Sequence, residues 1–77
     1  MNFEKIATEL VEKVGGKENI TSVMHCITRV RFRVADESKV DQEGIKNIEG
    51  VIGYVNKGGQ HQAVIGPKVN EVFAEVF

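Results

Sequence analysis

The sequence has 77 residues, 42% of them apolar and 27% charged, with a formal net charge of -1, as expected for one small soluble globular domain. A dedicated nucleic-acid binder would usually be basic overall, so this charge balance argues against one. One cysteine excludes an internal disulfide partner and a cysteine-paired metal site and indicates a reducing compartment, and no apolar run or signal-peptide pattern indicates a membrane span or secretion.

The first predicted element is an amphipathic helix that begins after Asn2 and ends at Gly15-Gly16. Asn is a common N-cap, and glycine tolerates the left-handed conformation that ends many helices. Apolar side chains recur at helical spacing along it, at Phe3, Ile6, Leu10 and Val14. We interpret this apolar stripe as part of the core.

Two strands are predicted next, over residues 20–26 and 29–34. The second alternates cationic and apolar side chains: Arg29, Arg31 and Arg33 against Val30, Phe32 and Val34. This period is typical of a half-buried strand with its arginines in water. In one straight strand Cys26 would lie on the apolar side, away from the arginines. We therefore expect a turn at Ile27 and Thr28, with Cys26 at the tip of a hairpin.

The remaining chain predicts a loop (35–39), a helix (40–48), a strand (50–56), a turn (57–59), a strand (60–65) and a helix opened by Gly66-Pro67. The final helix has no stop signal, which suggests a fragment of a longer protein. The expected fold class is α+β, in the order αββαββα. Its four-stranded antiparallel sheet would have helices covering one face, as a two-layer sandwich, and the arginine face open to solvent.

Cys26 with Arg29 and Arg31 close behind it indicates phosphate chemistry. A thiolate attacks far better than a thiol, and nearby guanidinium groups lower the thiol pKa from its free value of about 8.5. The guanidinium fork also matches phosphate oxygens. However, a lone cysteine is more often a small buried apolar residue, and alternating arginines often form only a solvated strand face. The motif alone leaves both interpretations open.

Several segments together resemble a known family. They are Asn19-Ile20, Cys26-Ile27-Thr28-Arg29-Val30-Arg31-Phe32 with Asp36, Gly50-Val51-x-Gly53, Gly58-Gly59-Gln60-x-Gln62 and Val64-Ile65-Gly66. The set resembles the enzyme IIB domain of the bacterial sugar phosphotransferase system (PTS), glucose/sucrose/β-glucoside type, over nearly the whole chain. Val30 stands where that family usually has leucine, at a buried strand position where either side chain fits.

The resemblance implies that residues 1–77 are a IIB domain at the cytoplasmic face of the cell membrane, the N-terminal fragment of a longer IIBC permease. Such a domain takes a phosphoryl group from phosphohistidine of a IIA domain and carries it as phosphocysteine. It then passes the group to a sugar bound by the membrane IIC domain, which sets sugar specificity. The resemblance implies Cys26 as the nucleophile, Arg29 and Arg31 as phosphoryl-stabilising groups, and no metal or cofactor on this domain.

Five further residues are candidates for the site. Backbone N–H groups of Ile27 and Thr28, and the Thr28 hydroxyl, could donate to a phosphate. Gln62, Asp36 and His61 are weaker candidates. A strand histidine is more often a rim or core residue than a catalyst, and an aspartate after a strand is more often a turn former.

Two other classes of protein share parts of this pattern. A cysteine-dependent phosphatase would need arginine six positions after the cysteine, where this chain has Phe32. A non-enzymatic module could bind RNA through the arginine stripe or carry a metal on a ferredoxin-like fold. An RNA-binding module would need aromatic residues on the arginine face, where they are scarce. A metal carrier would need another cysteine.

Overall fold

A computed structural model describes residues 2–76 of the chain. The helices and strands follow the predicted order: α1 (Phe3–Lys13), β1 (Ile20–His25), β2 (Arg29–Val34), α2 (Gln42–Lys46), β3 (Gly53–Lys57), β4 (Gln60–Val64) and α3 (Val69–Val76). Two short 3-10 helices, Lys17–Asn19 and Glu37–Lys39, lie in the connections. Within residues 2–76, no helix is long and apolar enough to cross a membrane.

The four strands form one antiparallel sheet in the order β1-β2-β4-β3. β2 and β4 are therefore central, and β1 and β3 are the edges. One face of the sheet is covered by the helices, against which Val30, Phe32 and Ala63 are buried. This arrangement confirms the predicted two-layer α+β sandwich.

The core lies between this face and the helices. α1 contributes Leu10 and Val14, which are fully buried, and packs beside α3, whose Val72 is also fully buried. Phe32 from β2 fills the space beneath them, with 1% of its surface exposed. Burying each such side chain contributes about 1.5 to 3 kcal/mol, and the predicted stripe of α1 supplies Ile6, Leu10 and Val14 to the core.

The sheet face opposite the helices, which we call the open face, carries the arginine stripe. Arg33 is exposed there, but Arg29 and Arg31 are half-buried. The register sets Arg31 directly between Met24 on β1 and Gln62 on β4, and neighbours on both sides cover part of its side chain. The expectation that all three arginines lie in water is therefore wrong for Arg29 and Arg31.

Two elements are shorter than predicted. The Asp41 carboxylate accepts the Gly44 N–H at 2.9 Å and caps α2, so this helix begins at Gln42 instead of at residue 40. A Cβ at Gly44 would lie 2.5 Å from the Asp41 carboxylate, which explains a glycine inside the helix. β3 begins at Gly53 instead of at residue 50, because Gly50, with φ of 103°, belongs to the turn after α2.

The start of α3 also differs from the prediction. Gly66 has φ of 100°, and its carbonyl accepts the Val69 N–H at 3.1 Å. Pro67 consequently lies in the turn before the helix and is not its first helical residue. Ile65 falls just outside β4, because its N–H donates to a carbonyl of the β1–β2 turn instead of to a strand partner.

A buried asparagine ties the end of α1 to the end of β2. The Asn19 side chain donates to the carbonyls of Val14 at 2.7 Å and Asp36 at 3.0 Å, and accepts the Asp36 N–H at 2.8 Å. Only 4% of Asn19 is exposed, so these bonds satisfy an amide that would otherwise be costly to bury.

Candidate active site

Cys26 lies at the tip of the β1–β2 hairpin, immediately after β1. The last strand pair is His25 with Val30, and the Cys26 N–H then donates to the Arg29 carbonyl at 3.0 Å. The chain bends at Ile27 and Thr28, as predicted. Cys26 and Arg29 therefore face each other across the tip, which a single straight strand could not achieve.

The backbone at this tip favours the ionised form of the Cys26 thiol. Hydrogen bonding from the Thr28 N–H is the largest influence that lowers its pKa, and the Arg29 N–H and the Arg31 guanidinium act in the same direction. Against a smaller opposing effect of burial, they bring the pKa of Cys26 to about 7. The half-buried thiol is thus substantially ionised near neutral pH and can act as a nucleophile.

Arg29 is held by a side chain from a distant part of the sequence. Its Nη1 donates to Oε1 of Gln62 at 2.9 Å, and Nε2 of Gln62 in turn donates to Oε1 of Gln60 at 3.0 Å. Gln62 is 6% exposed, so its amide has few other conformations available. This chain of hydrogen bonds limits the orientations of the Arg29 guanidinium beside the hairpin tip.

Arg31 differs from Arg29 because part of its guanidinium is unsatisfied. Its Nε is buried and has no hydrogen-bond partner within residues 2–76. A buried cationic donor without a partner is costly, and such exceptions mark sites where an acceptor is expected. The guanidinium of Arg31 also hydrogen-bonds the Cys26 sulfur, which places this cation beside the thiol.

The hairpin tip is fixed to the connection between β4 and α3. The Thr28 carbonyl accepts N–H groups of both Ile65, at 2.8 Å, and Gly66, at 3.0 Å. This brings the start of α3 beside the thiol, and a shallow groove forms there, lined by His25, Cys26, Ile27, Pro67 and Asn70. Ile27 projects from the tip with 85% of its surface exposed, so a partner could reach the sulfur without moving a lid.

His25 was missed by sequence reasoning. Its Nδ1 lies 3.1 Å from the Cys26 carbonyl, to which it can only donate, and its ring contacts Phe73 of α3 with centroids 4.4 Å apart. Its position next to the only cysteine could have drawn attention to it. The contact with Phe73 could not have been read from the chain, because it joins residues that are far apart in sequence.

The structure places Asp36 and His61 away from the thiol. Asp36 follows the far end of β2, about 17 Å along the strand from Arg29, and caps the Glu37–Lys39 helix through Ser38. The Ser38 hydroxyl and N–H hold the pKa of the Asp36 carboxyl below its usual value. His61 is buried on the helix-covered face, where it bonds the Tyr54 hydroxyl and the Glu37 carboxylate. Of the weaker candidates, only Gln62 lies near the site.

The chain has similarities to known proteins in both sequence and structure. A family model described as phosphotransferase system, EIIB, matches residues 8–41, which include the hairpin and Cys26. A solved structure described as one domain of the PTS system IIabc component from Clostridium difficile is 39% identical, with a TM-score of 0.87. The superposition covers 96% of this chain and 78% of that one.

Longer proteins also contain a matching segment. The β-glucoside-specific EIIBCA component of Halalkalibacterium halodurans is 45% identical over 99% of this chain, and the trehalose-specific EIIBC component of Bacillus subtilis is 52% identical over 96%. The chain spans only 12% and 16% of the lengths of these two relatives. With 39% identity and one fold shared over most of a solved PTS domain, the chain belongs to the EIIB family of the phosphotransferase system.

Proposed function

We propose that this domain is a phosphoryl carrier in sugar uptake, and that Cys26 is the residue that carries the group. The observation that supports this most strongly is the convergence of donors on one thiol. Two backbone N–H groups and the Arg31 guanidinium surround the half-buried sulfur of Cys26 and bring its pKa to about 7. Such surroundings suit a thiolate and, equally, an anionic group bound to it.

In the first transfer, the Cys26 thiolate attacks the phosphorus of a phosphohistidine on a IIA domain. The S–P bond forms as the P–N bond breaks, and the electron pair stays on the imidazole nitrogen, which then takes a proton. The exposed hairpin tip lets the sulfur approach in line with the leaving nitrogen, which is the main geometric requirement of phosphoryl transfer.

In the second transfer, a hydroxyl oxygen of a sugar bound by the IIC domain attacks the same phosphorus. The O–P bond forms, the S–P bond breaks, and Cys26 leaves as a thiolate while the hydroxyl proton passes to a base of the sugar site. A thiol with a pKa of about 7 is a better leaving group than an ordinary thiol. The same donors therefore assist both transfers.

The two arginines have different tasks in this proposal. Arg31, whose guanidinium hydrogen-bonds the Cys26 sulfur, supplies a donor and a charge to the phosphoryl oxygens. Arg29, held by Gln62, presents the rest of its fork across the hairpin tip. The N–H groups of Ile27 and Thr28 and the Thr28 hydroxyl complete the set of proposed phosphate donors, and no metal or cofactor is needed on this domain.

The proposal places the domain at the cytoplasmic face of the membrane, as part of a longer IIBC or IIBCA protein. The relatives that support this are named EIIBC and EIIBCA components. A phosphatase is disfavoured by the side chain six positions after Cys26. It is Phe32, which is buried in the core on the face away from the arginines and cannot clamp a phosphate.

Intact-mass spectrometry tests the proposal directly. The chain is mixed with a IIA domain that has been phosphorylated on histidine, and its mass should increase by one phosphoryl group. Adding the IIC portion with a bound sugar should return the mass to its starting value. An unchanged mass with a competent donor, or a phosphorylated chain that cannot phosphorylate any sugar, would contradict the proposal.

A further inference from the structure

The acidic residues of this domain lie outside its sheet. The eleven acidic residues all lie in helices or connections, and the four strands contain no Asp or Glu. The register places four cations together on the open face: Arg29, Arg31, Arg33 and Lys57. A chain with a net charge of -1 thus has one sheet face whose charged strand residues are all cationic.

The cations extend well beyond the neighbourhood of Cys26. Arg33 lies four residues from Arg29, about 13 Å along β2, and Lys57 lies on β3, two strands or about 10 Å to the side. Both Arg33 and Lys57 are exposed, and the only side-chain bond that Arg33 makes within residues 2–76 is a long one to the Gly58 carbonyl, at 3.4 Å. At this distance from the sulfur they are not needed for a phosphoryl group.

Two exposed apolar side chains flank the cations on the outer strands. Met24 on β1 is 50% exposed and Val55 on β3 is 38% exposed, and the register places both on the open face. The result is an array of separated positive charges with apolar groups at both sides and no acidic residue on the strands. An anionic lipid surface is complementary to such an array, because each Lys or Arg near it gains about 1 kcal/mol of attraction.

We propose that the open face rests on the anionic headgroups of a phospholipid membrane. The acidic residues of the other layer would be repelled from such a surface, so the domain would turn its sheet toward it. Met24 and Val55 would reach the boundary between headgroups and acyl chains. The inference extends the proposed function: Cys26, at an edge of the open face, would be held at the level where a membrane protein presents its sugar.

Vesicle sedimentation tests this inference with matched variants. We expect the chain to bind vesicles of equimolar phosphatidylglycerol and phosphatidylcholine at low salt, and not pure phosphatidylcholine. Binding should be lost near 1 M salt, where the Debye length falls to about 3 Å. The double variant Arg33→Gln/Lys57→Gln should bind about 25-fold more weakly, at about fivefold for each cation removed.

The control is Lys5→Gln/Lys46→Gln, which removes two exposed cations from α1 and α2 and changes the net charge equally. It should bind within about twofold of the parent chain, because its cations face away from the membrane. Equal losses in both double variants would overturn the inference, as would binding to pure phosphatidylcholine or no vesicle binding at all. Salt-sensitive binding to soluble polyglutamate without vesicle binding would assign the open face to an acidic protein instead.

Phosphoryl acceptance from a IIA donor, measured on the same samples, separates this inference from the proposed function. Both double variants should accept the group at the parental rate. Normal acceptance without vesicle binding contradicts only the membrane contact. Normal vesicle binding without acceptance contradicts only the proposed function.

Discussion

The polar groups at the two ends of β2 differ in how fully they are hydrogen-bonded. Beside Cys26, the buried Nε of Arg31 has no partner within residues 2–76, and backbone N–H groups point at a sulfur. At the other end, the buried Asn19 amide makes three hydrogen bonds, to Val14 and Asp36. One strand thus joins a region with an unsatisfied buried donor to a region whose polar groups are paired.

This difference suggests that the residues that stabilise this small domain and the residues proposed to react lie at opposite ends of one strand. Unpaired buried donors lower the free energy of unfolding, and this free energy is small in a domain of 77 residues. The paired groups near Asn19 and the apolar core lock the far end of β2. We infer that these packed and paired groups allow the Cys26 end to keep an unsatisfied donor without losing its conformation. The comparison can be tested by changing each end and measuring both stability and transfer.

The largest expected effect is at the chemical end. Cys26→Ser should abolish phosphoryl acceptance from a phosphorylated IIA domain, because a serine hydroxyl is hardly ionised where a thiol with a pKa of about 7 is. The substitution is nearly isosteric at a half-buried tip, so the melting temperature should stay within a few degrees of the parent. Acceptance at undiminished stoichiometry would move the site to another residue.

For Asn19→Ala we expect the reverse of Cys26→Ser, namely a loss of stability with phosphoryl transfer retained. Removing the amide leaves the Val14 and Asp36 carbonyls and the Asp36 N–H without their hydrogen-bond partner. The free energy of unfolding should fall by about 3 kcal/mol. Denaturant titration should show this loss, while transfer per folded molecule should be unchanged. The exposed Gln42→Ala is the control and should stay within about 0.5 kcal/mol of the parent. A stable but inactive Asn19→Ala protein would refute the division between the two ends.

A smaller effect should distinguish the three arginines. Arg29→Lys and Arg31→Lys should each slow transfer about tenfold or more, because a point-charge ammonium cannot reproduce the guanidinium fork. Arg33→Lys should change the rate less than about twofold, since Arg33 is exposed and farther from Cys26. The measurement is the rate of transfer from the phosphorylated chain to sugar with its IIC portion present. Equal slowing in all three variants would mean that the stripe acts only as a diffuse basic surface.

The smallest expected effect is a shift in the pKa of the Cys26 thiol. Lowering the pKa of Cys26 to about 7 keeps its thiolate present down to neutral pH, so the rate of alkylation by iodoacetamide should fall as the pH drops through about 7. In Arg31→Gln the midpoint should move to higher pH, because one of the groups that lower the pKa is gone. Arg33→Gln is the matched control and should leave the midpoint in place. Identical midpoints in all three proteins would remove Arg31 from the surroundings of the thiol.

The hairpin and its tip could be predicted because the alternation of β2 is unambiguous. Three arginines against Val30 and Phe32 define two faces, and the position of Cys26 then requires a turn at Ile27 and Thr28. The stripe of the first helix likewise predicted core residues such as Leu10 and Val14. In each case the signal is a regular spacing of apolar residues along the chain, which can be seen without knowledge of the fold.

What could not be predicted depends on contacts between distant segments. The pairing of β2 with β4 brings Gln62 to Arg29, and the packing of α3 brings Phe73 to His25. The boundary of β3 was wrong for a related reason. Gly50 turns with φ of 103° and lies against Ile6 of α1, where a Cβ would come within 2.5 Å of its side chain, and this contact joins residues far apart in sequence.

The central claim is that the phosphoryl group resides on the sulfur of Cys26, and locating the phosphate tests it most directly. His25 is the relevant competitor, because it is adjacent and lines the same groove. The chain is phosphorylated by a IIA donor, digested at neutral pH and mapped by mass spectrometry, with and without iodine treatment. We predict one phosphate, on Cys26, that iodine releases. A phosphate on His25 or His61, resistant to iodine and labile in acid, would contradict the account.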